Sequence, residues 1–270
     1  WPRGLLLEHR RDEWLGGASW DFDVGWQRIV DDRILRDFLS DVRRHESNSS
    51  DLMGFTATAN GDTEFGSWVA GTEFYRDNVN SARYEENIVT RDMQIVASRF
   101  PDGASVVQSA IYGNYTRRLV ERHSLSGGVR FSAISTELPV TLLMPATTVR
   151  QDDLSADVGW VFDLYDNTQL TANIGYGFRA PNVFDFGTLG ERPGNRFNIP
   201  NPNLESEYVA QFDLGVRHHG ERWNTEAVLF ALQYTDRITS VPTGDVMPSG
   251  RDVTQSRNVA SADIYGLELS

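Results

Sequence analysis

The chain of 270 residues contains no cysteine and no lysine. The first absence rules out a disulfide framework and any thiolate metal centre. The second means that all 25 basic residues are arginine, and they face 38 acidic ones for a formal charge of −13. Nucleic acid is a poor partner for such a chain, because phosphate binding needs clustered cations. Long apolar runs are missing as well. No segment approaches the roughly 18 uninterrupted apolar residues of a membrane helix. A membrane crossed by strands stays open, since each strand needs only about 9–11 residues and half of those face a polar lumen. Catalytic signatures are also lacking: no Gly-x-Ser-x-Gly elbow, no His-Glu-x-x-His, no phosphate-cradling glycine loop. The Asp21/Asp23, Asp31/Asp32 and Asp152/Asp153 pairs read as charged lumen or loop, not as a hydrolase dyad. Trp1–Arg10 does not have the ordering of a signal peptide, so an export signal is expected upstream.

What the chain does have is period-two alternation along most of its length. Leu170, Ala172, Ile174, Tyr176 and Phe178 oppose Thr171, Asn173, Gly175 and Gly177. Leu125, Gly127, Val129, Phe131 and Ala133 oppose Ser124, Ser126, Gly128, Arg130 and Ser132. Such segments predict about ten strands: Ser19–Phe38, Asp51–Ala59, Thr63–Arg76, Ser105–Arg118, Arg122–Ile134, Asp152–Tyr165, Gln169–Arg179, Glu205–Arg217, Arg222–Asp236 and Gln255–Ser270. Residues 1–15 can supply one more, and no helix is expected. Tight connections at Asn60-Gly61-Asp62, Leu119-Val120-Glu121, Asp166-Asn167 and His219-Gly220-Glu221 alternate with long ones. The long ones are about Leu39–Asp51, Asp77–Ala104, Ser135–Gln151, Arg179–Leu204 and Arg237–Thr254. This asymmetry is the mark of an antiparallel up-and-down barrel in an outer membrane. A soluble β-sandwich has no reason to sort its loops this way. Aromatic residues cluster toward strand ends, among them Trp20, Trp26, Trp68, Tyr112, Tyr115, Trp160 and Trp223, as interfacial girdles would.

Two short boxes flank one of the long loops. The first is Phe178-Arg179-Ala180-Pro181-Asn182; the second is Asn201-Pro202-Asn203-Leu204, followed by Glu205 and Glu207. Pro181 ends its strand for want of an N–H to donate. Asn201-Pro202 biases the backbone toward a turn. The two boxes with their spacing resemble the signature of TonB-dependent outer-membrane receptors. Ile264-Tyr265-Gly266-Leu267-Glu268-Leu269 is similar to a late-barrel strand of that family, and Arg99-Phe100-Pro101-Asp102-Gly103 and Gly127-Gly128-Val129-Arg130-Phe131 suit mid-barrel segments. The resemblance implies an all-β, antiparallel transmembrane barrel of 22 strands plugged by an N-terminal domain. Residues 1–270 would then be part of one barrel domain, with the plug, the TonB-contacting segment and the closing strands lying elsewhere.

The same resemblance implies residence in the outer membrane of a Gram-negative bacterium, among lipid, and import of a scarce nutrient driven by the TonB complex. An iron–siderophore complex is the leading cargo. No chemical transformation, cofactor or resident metal is expected. Haem fits less well, because residues 182–200 hold neither histidine nor tyrosine. Histidine occurs only at positions 9, 45, 123, 218 and 219. An anionic chelate can be held by arginines through charge-assisted hydrogen bonds, with Arg83, Arg91, Arg150, Arg192 and Arg196 as candidates by location. Tyr84 and Phe197 can pack against a ligand ring, while Phe184 and Phe186 are expected to close the loop base. The boxes themselves can serve only to shape and anchor the loop. A passive barrel, either a porin or an adhesin-type translocator, is the alternative, and a soluble β-sandwich binding module is a more distant one.

Overall fold

The computed structural model describes residues 3–14, 17–187, 189–192, 194–259 and 261–270. In chain order the strands are β1 (Arg3–Trp14), β2 (Ala18–Arg36), β3 (Val42–Thr63), β4 (Gly66–Asn87), β5 (Met93–Ile95) and β6 (Ala104–Val120). There follow β7 (His123–Leu138), β8 (Thr147–Tyr165), β9 (Thr168–Arg179), the short helix α1 (Val183–Gly187), β10 (Gly190–Arg192) and β11 (Arg196–Ile199). The last are β12 (Glu207–His219), β13 (Asn224–Thr235), β14 (Arg237–Val246), β15 (Asp252–Val259) and β16 (Ala262–Leu269). One sheet runs β1-β2-β3-β4-β6-β7-β8-β9-β12-β13-β16, with β5 beside β4; a second, four-stranded sheet runs β10-β11-β15-β14. Every neighbouring pair in the long sheet is antiparallel, so the chain is an up-and-down meander.

Pairing register sorts the side chains into two faces, because residues directly opposite one another project to the same side. One row joins Leu7, Val24, Phe55 and Phe74, and another joins Ile111, Phe131 and Leu154. Ile174, Phe212 and Ala231 continue the same face, and its large apolar side chains are exposed. The opposite face carries Asp23, Thr56, Glu73, Tyr112, Arg130, Asp157 and Gln211. A single cavity draws lining residues from β4, β6, β7, β8, β9 and β12, which requires the sheet to be concave on this polar side. Apolar outside and polar inside is the arrangement of a barrel wall in lipid, where water cannot satisfy the outer surface. Here Arg130 reaches Glu73 at 2.7 Å, and Thr56 donates to Asp23 at 2.8 Å.

The structure redraws several of the expected boundaries. The Asn60-Gly61-Asp62 turn is not a turn: the hairpin reverses at Glu64-Phe65, where Thr63 Oγ1 accepts from the amide of Gly66 at 3.1 Å. Gly61 instead makes room for a cross-strand indole, since a Cβ there would stand 3.2 Å from the Trp68 ring. Leu39–Asp51 is largely strand, and so is the first part of Asp77–Ala104. These segments are polar on both faces, so no apolar alternation announces them. They are held by ladder bonds and pairs such as Ser47–Asp32 and Ser50–Asp77, each at 2.6 Å. The single strand expected over Gln255–Ser270 is two strands in different sheets, β15 and β16. Alternation runs through both and cannot distinguish their partners. Of the additional strand expected over residues 1–15, β1 is observed, while Trp1 and Leu15 lie outside the described residues.

The girdle is present but lacks one expected member. Trp20 stacks on Phe22, and Trp160 stacks on Phe162 beside His123, all toward the short-turn end of the sheet. Tyr112 points into the lumen, with its hydroxyl 2.7 Å from that of Thr58 and its ring over Gly71. A Cβ on Gly71 would fall 2.5 Å from that ring and 2.8 Å from the carbonyl oxygen of Ala57. Because one of the obstacles is backbone, the Gly71→Val variant should lose about 1–3 kcal/mol of stability through overpacking. The check is the temperature at which the folded form in detergent loses its electrophoretic shift. An unchanged transition would show that the wall yields at this point.

Candidate functional site

The boxes converge on one ion-paired knot. Strand β9 ends at Arg179, whose Nε and Nη2 grip the Glu207 carboxylate at 2.8 and 2.9 Å. Its Nη1 reaches Asp185 at 2.7 Å. Asn182 and Asp185 cap α1 reciprocally: the Asp185 amide donates to Asn182 Oδ1 at 3.1 Å, and the Asn182 amide donates to Asp185 Oδ2 at 3.0 Å. Such a cap satisfies donors that a helix start leaves orphaned. Glu207 also accepts from the amide of Ile238, which ties in the beginning of β14.

The second box works on a different loop. Asn201 Oδ1 accepts from the Asn203 amide at 3.1 Å, closing a local turn, while its Nδ2 donates to the Ser256 carbonyl at 2.8 Å. Leu204 is 3% exposed and packs with Ala104, Leu138, Met144, Val183 and Phe186. The boxes therefore form the core and the fastenings of the external layer. Phe178, Ala180 and Pro202 are partly buried around this knot, and Pro181 is buried within it.

Two external loops, residues 180–206 and 236–261, are fused by the small sheet. Strand β11 lies parallel to β15, with Arg196 opposite Asp252 and Ile199 opposite Gln255. A buried hydrogen bond from Thr254 to Asn198 at 3.0 Å pins the pair. Glu191 on β10 bridges Arg44 at 2.8 Å and Arg251 at 3.1 Å, fastening this sheet to the extension of β3.

Beneath it lies a concentration of positive charge. Arg83 is 6% exposed, with its Nε 3.3 Å from Glu46. Arg192 has Arg83, Arg99 and Arg196 as cationic neighbours. Burial first, then repulsion from Arg99, Arg83 and Arg196, opposed by Glu46, lowers Arg192 to about 10. Arg192 has neither a hydrogen bond nor an ion pair among the described residues. Arg99 lies over the Phe100 ring at 5.4 Å, and its buried Nε makes no hydrogen bond. A cavity of about 560 Å³ opens between β2, β3, β4 and α1, walled by Ile29, Leu52, Tyr75, Phe100 and Phe184, with Arg99 at its edge. A second, of about 340 Å³, holds Arg192, Arg196 and Asp185 and shares Phe184 with the first. Cationic and aromatic compartments thus adjoin, an arrangement suited to an organic anion.

Of the residues expected to bind ligand, Arg83, Arg192 and Arg196 meet here. Phe197 sits in β11, opposite Val253. Tyr84, Arg91 and Arg150 do not join them. Tyr84 follows Arg83 in one strand and so must face the other way; it stacks on His45 at 4.5 Å. Arg91 is committed to Glu86 at 3.0 Å beside that stack. Arg150 is exposed on the outer face of β8. Sequence reasoning overlooked Arg99, Phe100, Tyr75 and Asn48. Tyr75 and Asn48 have ordinary strand composition, Arg99 and Phe100 lie in the connection between β5 and β6, and only the tertiary fold brings the four together. Phe184, expected to close the loop base, does rest on Phe100, with ring centroids 6.4 Å apart, and in doing so forms a cavity wall. Among the described residues, no group of three or more His, Asp or Glu side chains is arranged to hold a metal ion.

The sequence matches the family described as TonB dependent receptor-like, beta-barrel, over residues 3–270. No curated protein sequence matches it significantly. Among solved structures it is similar to the copper transporter OprC, at 18% identity and a TM-score of 0.81, over 99% of this chain and 42% of that one. It is similar to the ferric citrate transporter FecA in the unliganded form, at 12% identity and a TM-score of 0.75, over 99% and 38%. The siderophore receptor PirA from Pseudomonas aeruginosa gives 17% identity and a TM-score of 0.62, over 99% and 52%. The chain thus spans between 38% and 52% of the length of these relatives, and at such identities the likeness establishes the fold.

The knot predicts that Arg179 cannot be replaced by lysine, which lacks the two-pronged grip on Glu207. Because Arg179 is partly exposed, solvent screening limits the effect. Arg179→Lys should raise the rate of limited proteolysis within residues 180–206 severalfold, roughly threefold to tenfold, with the strands intact. Cleavage at the parental rate would remove the knot from the account.

Proposed function

Because the chain belongs to the TonB-dependent receptor-like β-barrel family, we propose that it forms the ligand-capturing side of an importer for an anionic iron chelate of the siderophore class. Members of this family reside in the outer membrane of Gram-negative bacteria and transport rather than catalyse. The single observation carrying the cargo is the pair of half-buried arginines, Arg99 and Arg192, left without anionic partners in a chain of net charge −13. Where acidic residues outnumber basic ones, each unpaired interior guanidinium keeps an electrostatic cost that a bound anion relieves.

In this reading Arg192 and Arg196 receive the anionic groups, and Arg99 donates from the edge of the aromatic compartment. The fused β10-β11-β15-β14 sheet roofs the site. The rest of the barrel, a plug and the TonB complex belong to the proposal, with the plug shifting on binding and the energised complex supplying the work. A bare metal ion as cargo is less well supported, since the chain has no cysteine. Its methionines stand apart, Met53 on β3, Met93 on β5, Met144 in the loop core and Met247 at a turn. No observation favours a passive pore.

In the full-length receptor, Arg99→Ala and Arg192→Ala should each weaken binding of a ferric siderophore by about tenfold or more, as expected for a lost charge-assisted hydrogen bond. Affinities within about twofold of the parent for both variants would sink the proposal. A second check uses pH. The folded value of Arg192 lies below the ordinary arginine range, so its protonation opposes folding in full below about 10, and that cost fades as pH rises above about 10. The affinity advantage of the parent over Arg192→Ala should be constant from about pH 6 to about pH 8 and should begin to fall only as pH rises through the folded value, about 10. An advantage that changes across the neutral range would point to a different titrating group.

A further inference from the structure

Resting on that reading of an anionic cargo, we infer that the cargo carries a phenolate or catecholate arm, whose ring enters the cavity beneath Phe184. Small aliphatic chelates such as ferric citrate are then poor ligands. Asp31 is paired with Arg33 at 2.7 Å, and Asp77 accepts from Ser50 at 2.6 Å. The fully buried side-chain atoms of this cavity that lack a partner are donors. Asn48 is 7% exposed, its Oδ1 accepts from Ser81 at 2.7 Å, and its Nδ2 has no partner. The buried Nε of Arg99 has none either. Unpaired buried donors are costly and call for an acceptor. A cargo that seats here therefore presents oxygen acceptors to Asn48 and Arg99.

The shape of the wall selects what carries those oxygens. Tyr75, Phe100 and Phe184 offer ring surfaces, and Ile29, Leu52 and Val79 supply aliphatic ones. Tyr75 is held in place because it lies across Gly54, where a Cβ would stand 2.6 Å from its ring. Phe100 and Phe184 are tilted by 50°, leaving an oblique slot instead of a closed stack. A volume of about 560 Å³ admits a substituted ring and lies within the usual range of organic ligand sites. An aliphatic polycarboxylate would desolvate its charges against these apolar walls with little return. An aryl oxygen donor satisfies Asn48 and Arg99 while its ring packs on the aromatic faces. The metal-bearing remainder would lie on the other side of Phe184, toward Arg192 and Arg196.

The test measures binding to the full-length receptor in detergent by isothermal titration. The probes are a ferric catecholate, a ferric trihydroxamate and ferric citrate; the proteins are the parent, Leu52→Asn, Phe100→Ala and Arg192→Ala. The parent should prefer the catecholate over citrate by at least about tenfold. Leu52→Asn and Phe100→Ala should shrink that preference to within about threefold and leave the other two probes unchanged. Arg192→Ala should weaken the two anionic probes, the catecholate and citrate, and spare the neutral trihydroxamate. Equal affinity for the catecholate and citrate in the parent overturns the aryl inference and leaves the anionic cargo standing. So does an equal loss of all probes in both cavity variants, which would mark a structural role for the slot. Failure of every probe to bind the folded parent overturns the anionic cargo itself, and this inference with it.

Discussion

The rest of the structure depends on one constraint: in lipid, each strand's amides and carbonyls must find partners on neighbouring strands. An antiparallel ladder meets that demand, and its pleat then sends successive side chains to opposite sides. The rows from Leu7 to Phe74 and from Ile111 to Leu154 become one apolar exterior as a direct consequence. The lumen is made of what remains, such as Glu73 with Arg130 and Asp23 with Thr56. Tyr112 and Tyr75 lie across glycines of adjacent strands, so the inner wall is stiff where it would meet other parts of the receptor.

Beyond the lipid the same ladders continue, although the reason for their polarity changes. The upper parts of β2, β3 and β4 carry many polar side chains and hold through cross-strand polar pairs. They raise a rim against which the two fused loops are fastened. Arg179, Asp185 and Glu207 form one fastening, Glu191 with Arg44 and Arg251 another, and the packing around Leu204 a third. The family boxes supply the first and third of these. They fasten the small sheet over a cluster of arginines that lie outside the boxes.

That site concentrates cations in an acidic molecule and places them beside aromatic walls. Its two compartments meet at Phe184, held by a helix that the Asn182–Asp185 cap initiates. A break in the cap would thus alter the boundary between apolar and cationic compartments.

Alternation, loop asymmetry and the boxes were legible in the sequence, because each is a short-range property: the pleat repeats every second residue, and a proline stops a strand where it stands. The same locality explains what was illegible. Polar strand extensions such as Val42–Asp51 carry no apolar period. Gly61 reads as a turn until its cross-strand neighbour is known to be Trp68, and β15 and β16 look like one strand. Arg83, Arg192 and Arg196 were identifiable as loop cations, but so were Arg91 and Arg150, which point elsewhere. The sequence by itself determined an antiparallel outer-membrane wall and the anchoring of its longest loop. Only the tertiary structure decided which arginines meet and that Arg99, Phe100 and Tyr75 join them. Their meeting depends on sheet curvature and on the parallel pairing of β11 with β15, and no local period encodes either.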